Sequence, residues 1–134
     1  MSDTGEKRLD LLLFSVGGVH FGVDAGQVAG IEAYDCSQAD GLLWFHKELD
    51  YGGAAVTYFS PTVITIRTDD GTPYQVIIDR MEEIAEYDQN DIRLFPELLE
   101  PLAIRNGLWG IMIRNGRMVL LIDFLRLLRE RPDA

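Results

Sequence analysis

A β-rich domain assembled from two similar halves is what this sequence predicts, and three features predict it. Gly17-Gly18 joins two apolar runs. Asn115-Gly116 joins two more. A short pattern that ends the first hairpin returns near the middle of the chain. The Gly and Asn pairs carry weight because two-residue hairpin turns need positive φ at their central positions. Each half is too small to bury a core alone, so the halves should pack as one domain. Its expected span is residues 9–131, after a polar tail at 1–8.

The first hairpin is predicted from Leu9 to Val16 and from Val19 to Val23. Beyond Asp24 the period changes. Val28 and Ile31 stand three apart, which predicts one or two helical turns with Asp24 as cap. Leu42, Phe45 and Leu49 also fall at helical spacing after Asp40, with Trp44, Glu48 and Tyr51 on a second face. Gly52-Gly53 would end that helix. Ala54 to Phe59 reads as a short strand stopped before Pro61. Val63 to Arg67 and Tyr74 to Ile78 are β-branched and aliphatic, and Asp69-Asp70-Gly71 between them makes a second hairpin. Met81 to Glu86 reads as a short helical or extended link, and Asn90 to Leu94 as a brief strand. Pro96 and Pro101 limit the stretch between them to a helical turn. Trp109 to Arg114 and Arg117 to Ile122 form the last hairpin. Phe124, Leu127 and Leu128 then recur at i, i+3 and i+4, predicting a C-terminal helix closed by Pro132.

The returning pattern is an aliphatic-Asp pair, a short apolar link and Tyr-Asp. It occurs as Val23-Asp24 leading through Val28 and Ile31 to Tyr34-Asp35. It occurs again as Ile78-Asp79 leading through Met81 and Ile84 to Tyr87-Asp88.

Charge and composition remove several classes of function. The 134 residues carry a net charge of −10. Through Ile104 there are 6 Lys/Arg against 19 Asp/Glu, a net −13; from Arg105 there are 6 against 3, a net +3. An acidic body argues against nucleic acid and anionic membranes, which need counter-charge. No apolar run approaches the ~20 residues of a membrane span. Cys36 is the only cysteine, so no intramolecular disulfide can form. With no signal-peptide pattern in Met1 to Arg8, a cytoplasmic setting is expected.

No constellation carries catalysis or metal binding. The two histidines, His20 and His46, have no ligand spacing around them. Asp69-Asp70-Gly71 lacks the ligand ladder of a calcium loop. Gly17-Gly18 precedes a strand rather than a helix, so it is no phosphate cradle. No nucleophile pattern occurs. The chain is read as a non-enzyme without cofactor or metal, acting through protein contacts.

Several stretches, in order, resemble the CheW-like family of bacterial chemotaxis coupling modules. They are Leu12 to Asp24, Val28-x-x-Ile31-Glu32, Val76 to Met81, and Leu108 to Ile111 with Leu120 to Leu128. The resemblance implies two intertwined five-stranded β barrels with short helices. It implies an adaptor that couples chemoreceptors to a histidine kinase, one barrel meeting the kinase's regulatory domain. A groove between the barrels would receive the receptor's cytoplasmic tip. Val28, Ile31, Val76 and Ile78 are then candidates to line or neighbour that groove. The segment Asp40 to Asp50 departs from the family, which carries Asn-x-Arg-Gly and Pro-Val-x-Asp motifs there. This departure supplies an alternative: a diverged module with another partner, or with itself, docking through residues 42–51. Trp44, Phe45 and Tyr51 would be its anchors, since aromatic residues dominate interface energetics.

Overall fold

Gly17 and Gly18 sit at φ 62° and 83°, and Asn115 and Gly116 at 54° and 76°, so both tight hairpins turn as their sequences require. The computed structural model describes residues 8–35, 41–49, 55–68, 71 and 73–129. Its strands are β1 (Arg8–Val16), β2 (Val19–Asp24), β3 (Val28–Ala33), β4 (Leu43–Trp44), β5 (Thr62–Ile66), β6 (Tyr74–Ile78), β7 (Arg80–Asp88), β8 (Leu108–Arg114) and β9 (Arg117–Ile122). Three short helices, α1 (Phe45–Glu48), α2 (Glu100–Arg105) and α3 (Phe124–Arg129), lie between and after them.

The strands form a five-stranded sheet in the order β7-β1-β2-β9-β8 and a four-stranded sheet in the order β3-β5-β6-β4. The chain starts in the larger sheet, crosses to the smaller after β2, and returns after β6. The two units are therefore interleaved, as expected. Closed five-stranded barrels are not what the backbone forms among the described residues. The smaller sheet has four strands, and no ladder joins β7 to β8. The larger sheet is instead held in a curl by side chains. On β8, Arg114 donates from Nε to the Tyr87 hydroxyl at 2.7 Å and from Nη2 to the Glu83 carboxylate, both on β7. Inside the curl lie Leu11, Leu13, Met112, Val119 and Leu121.

The main core fills the space between the sheets. Phe14, Phe21, Phe45 and Phe124 meet at its centre, with centroid separations from 4.8 to 6.2 Å. Such ring pairs add about 0.5–1.5 kcal/mol each beyond the area they bury.

Several expectations are corrected. Val28 and Ile31 lie on a strand, not a helix; only Ala25–Gln27 turn, as a 3-10 segment. Three-residue spacing normally puts strand residues on opposite faces. A bulge between Val28 and Gly30 inserts Ala29, so Val28 pairs with Ile66 and Ile31 with Ile64, on one face. Met81 to Glu86 falls within a full strand, β7. Residues 55–59 form no strand, and Asn90 to Leu94 contributes only a single bridge, Arg93 to Ile111. α2 runs past Pro101, which its first turn tolerates. The predicted helix from Asp40 is one turn, α1, after the two-residue β4.

Candidate functional site

Rows of paired residues define where the core ends. Across the larger sheet the row Ile84, Leu12, Val23, Ile122 faces the main core. Across the smaller sheet the facing row is Ile31, Ile64, Val76, Leu43. Leu12, Val23, Ile64 and Val76 are fully buried. The terminal residues are not: Ile84 on β7 is 54% exposed and Ile31 on β3 is 40% exposed. Both belong to edge strands. They border a cavity of about 210 Å³, with Val28, Ala29, Gly30, Ala25 and Leu12 as the rest of its wall. The apolar layer between the sheets therefore runs out in an open groove.

Gln27 fixes one wall of this groove. Its carbonyl accepts the Arg67 N–H at 2.8 Å, which holds the start of β3 against the end of β5. Its side-chain Nε2 donates to Asp123 Oδ1 at 2.8 Å, and its Oε1 accepts the Phe124 N–H at 3.1 Å. Asp123 also accepts the Leu125 N–H at 3.0 Å, capping α3. One amide thus ties the smaller sheet to the helix that follows the larger one.

The candidate residues divide. Val28 and Ile31 are brought together in the groove wall. Val76 and Ile78 lie at 0% exposure inside the core, so they support the wall from behind and offer no surface. Phe45 is also fully buried, packed edge-on against Phe14 and Phe21, and cannot anchor a partner on the surface. Trp44 is half-buried in an aromatic cluster with Tyr34 at 5.5 Å and Tyr58 at 4.9 Å. Tyr51 lies outside the described residues.

Beside Trp44, the Tyr58 hydroxyl accepts the His46 backbone N–H at 3.2 Å and lies 3.0 Å from His46 Nδ1. Burial pushes the Tyr58 hydroxyl up to about 12. Burial, then the adjacent Lys47 charge, holds the His46 imidazole below its ordinary value. The pair works as a fastener for α1.

Sequence reasoning missed Ile84 and Gln27. For Ile84 there was a usable signal: residues 80–88 contain neither Gly nor Pro and follow a strand directly. For Gln27 there was none, because its partners lie 96 and 97 positions away. Among the described residues, no group of three or more His, Cys, Asp or Glu side chains is placed to hold a metal. No helix among them is long and apolar enough to cross a membrane.

No family model matches the sequence, and no curated protein does. Among solved structures, the crystal structure of scaffolding protein TtCheW from Thermoanaerobacter tengcongensis is similar. The likeness has a TM-score of 0.67 and covers 90% of this chain and 92% of that one, at 15% sequence identity. Interleaved sheets, a groove at their margin and this structural likeness together identify the chain's architecture as the CheW-like fold.

Proposed function

We propose that this chain is a non-catalytic scaffold module of chemotaxis-type signalling, which holds a protein partner in the groove bounded by Ile31 and Ile84. The observation that carries the reading is the unfinished core. Two rows of buried residues end in exposed isoleucines that face the same cavity. Apolar side chains from a partner would complete the layer, as interface cores do. The likeness to a scaffolding protein supports the class of function. The sequence resemblance supplies the expected partners, a histidine kinase regulatory domain and a chemoreceptor tip, in the cytoplasm.

The alternative through residues 42–51 has less behind it. Phe45 is spent on the core, and Trp44 is partly covered by Tyr34 and Tyr58.

The test is a pull-down of the host's chemoreceptors and histidine kinases with the purified chain, beside Ile31→Asp and Ile84→Asp. Both variants should keep their circular-dichroism spectrum, since both positions are substantially exposed. Each should lose receptor capture at least tenfold, as loss of an interface anchor costs about 2 kcal/mol. Failure of the folded wild-type chain to bind either partner class would remove the coupling role.

A further inference from the structure

On the other face of the larger sheet, beside the Gly17-Gly18 turn, one row of residues crosses three strand boundaries. Val119 pairs with His20, His20 with Ser15, and Ser15 with Arg80. Laterally paired residues share a face. Val119 lies inside the curl, so the row faces the curl's interior. Arg117 is two residues before Val119 and shares its face. Arg80, His20 and Arg117 therefore rim one mouth of the curl.

A bulge adds Glu82 to them. Leu13 pairs with Glu83 and Phe14 with Met81, which leaves Glu82 as the extra residue of β7. An unbroken register would set its carboxylate opposite Phe14, on the main-core face. The bulge turns it onto His20 instead, with Oε2 at 3.1 Å from Nδ1. An ionised carboxylate only accepts, so Nδ1 carries the imidazole proton. Nε2 is then an acceptor, and Arg117 Nη1 donates to it at 3.4 Å. Glu82 and His20 thus position the Arg117 guanidinium and leave its other N–H groups for a ligand.

Two cavities, of about 250 and 380 Å³, meet at His20, Glu82 and Arg117. Arg114, on the smaller, is already taken by Glu83 and Tyr87. Arg80 and Phe59 stand on the wall of the larger. Arg80 and Arg117 form no ion pair among the described residues, in a chain with 22 Asp and Glu against 12 Lys and Arg. Asp79 also borders this cavity, but its carboxylate is occupied by the Phe59 and Ser60 N–H groups. Phe59 is held at its backbone by that bond, yet its side chain is 74% exposed. Two unpaired guanidiniums and a presented aromatic ring border one cavity.

We propose that this mouth binds a phosphate monoester of a planar ring. Arg117 and Arg80 take the phosphate oxygens, since the guanidinium fork matches phosphate geometry. The ring stacks on Phe59. A phosphate offers three oxygens to donors converging from two strands, whereas a carboxylate offers two. The net charge of −10 opposes an anion at long range, so binding rests on these short contacts. The site lies on the opposite face of the larger sheet from the groove and does not depend on what the groove holds.

The test titrates the full ¹⁵N-labelled chain with phenyl phosphate, inorganic phosphate and benzoate at one ionic strength. Phenyl phosphate should shift the Arg117 Nε–Hε and Phe59 amide resonances. It should bind about tenfold more tightly than benzoate and about fivefold more tightly than inorganic phosphate. Arg117→Gln should lose about tenfold toward both phosphates, the scale of a lost charge-assisted hydrogen bond. Phe59→Ala should bring phenyl phosphate down to the affinity of inorganic phosphate and leave the latter unchanged. Both side chains are exposed, so both variants should keep the wild-type circular-dichroism spectrum. Adenosine monophosphate and phosphotyrosine, titrated alongside, separate a nucleotide from a phosphorylated side chain, and the one that matches phenyl phosphate names the source. The proposal is overturned if phenyl phosphate shifts neither resonance or if benzoate binds equally well. It is also overturned if Arg117→Gln or Phe59→Ala binds phenyl phosphate like wild type.

Discussion

Two corners carry the chain between its sheets, and they start from the same sequence pattern. Val23-Asp24 ends β2 and leads into the smaller sheet. Ile78 ends β6, and Asp79 leads back. At the first corner Asp24 is exposed and accepts one backbone N–H, that of Gly26 at 2.8 Å. At the second Asp79 is buried and accepts two, from Phe59 at 2.8 Å and Ser60 at 2.6 Å. The loop held by Asp79 also brings Tyr58 onto His46. The first corner adjoins the open groove through Ala25 and Val28. A repeated pattern has thus yielded one corner fastened by distant chain and one left accessible, and the accessible one borders the candidate site.

That contrast can be broken most forcefully at Asp79. Asp79→Ala removes the acceptor of two charge-assisted hydrogen bonds and should cost about 2–3 kcal/mol in denaturant unfolding. Asp24→Ala should cost about 1 kcal/mol, the value of a lost cap. Equal losses at the two positions would dissolve the distinction between them. The smallest effect is one of pH. The His46 imidazole titrates below its ordinary value when folded, so the unfolded chain takes up its proton first as pH falls. The stability it contributes is complete above about pH 6.5 and is lost as pH drops through the folded value. Thermal melts from pH 7.5 to 5 should show this modest decline, and His46→Gln should flatten it. A pH response unchanged by that substitution would place the effect elsewhere.

Both the legible and the illegible parts of the chain have physical reasons. The outer hairpins could be read because Gly17-Gly18 and Asn115-Gly116 determine turn type locally. Strands β5 and β6 could be read because β-branched runs stand apart from their surroundings. β3 was mistaken for helix because the bulge at Ala29 mimics a three-residue period. Val76, Ile78 and Phe45 could not be separated from Ile31 by sequence, since all are apolar and burial is decided by which strand lies at an edge. Val28 and Ile31 were legible through family resemblance, whereas Ile84 belonged to a segment whose strand character was left open. Gln27 was invisible because its role exists only once α3 is docked beside β3.

The pairing of β2 with β9 bears on how the molecule is made. His20 lies beside Val119 and Val23 beside Ile122, in parallel, across about three-quarters of the chain. Closing a loop of that length costs roughly 4 kcal/mol of chain entropy, apart from a constant. Local hairpins can form early, but the centre of the larger sheet waits for β9 to leave the ribosome. A nascent chain carrying β1 to β7 must hold Phe14 and Phe21 without their final cover. Such high contact order predicts slow folding, with a late, all-or-none closing step that no separately expressed half could perform.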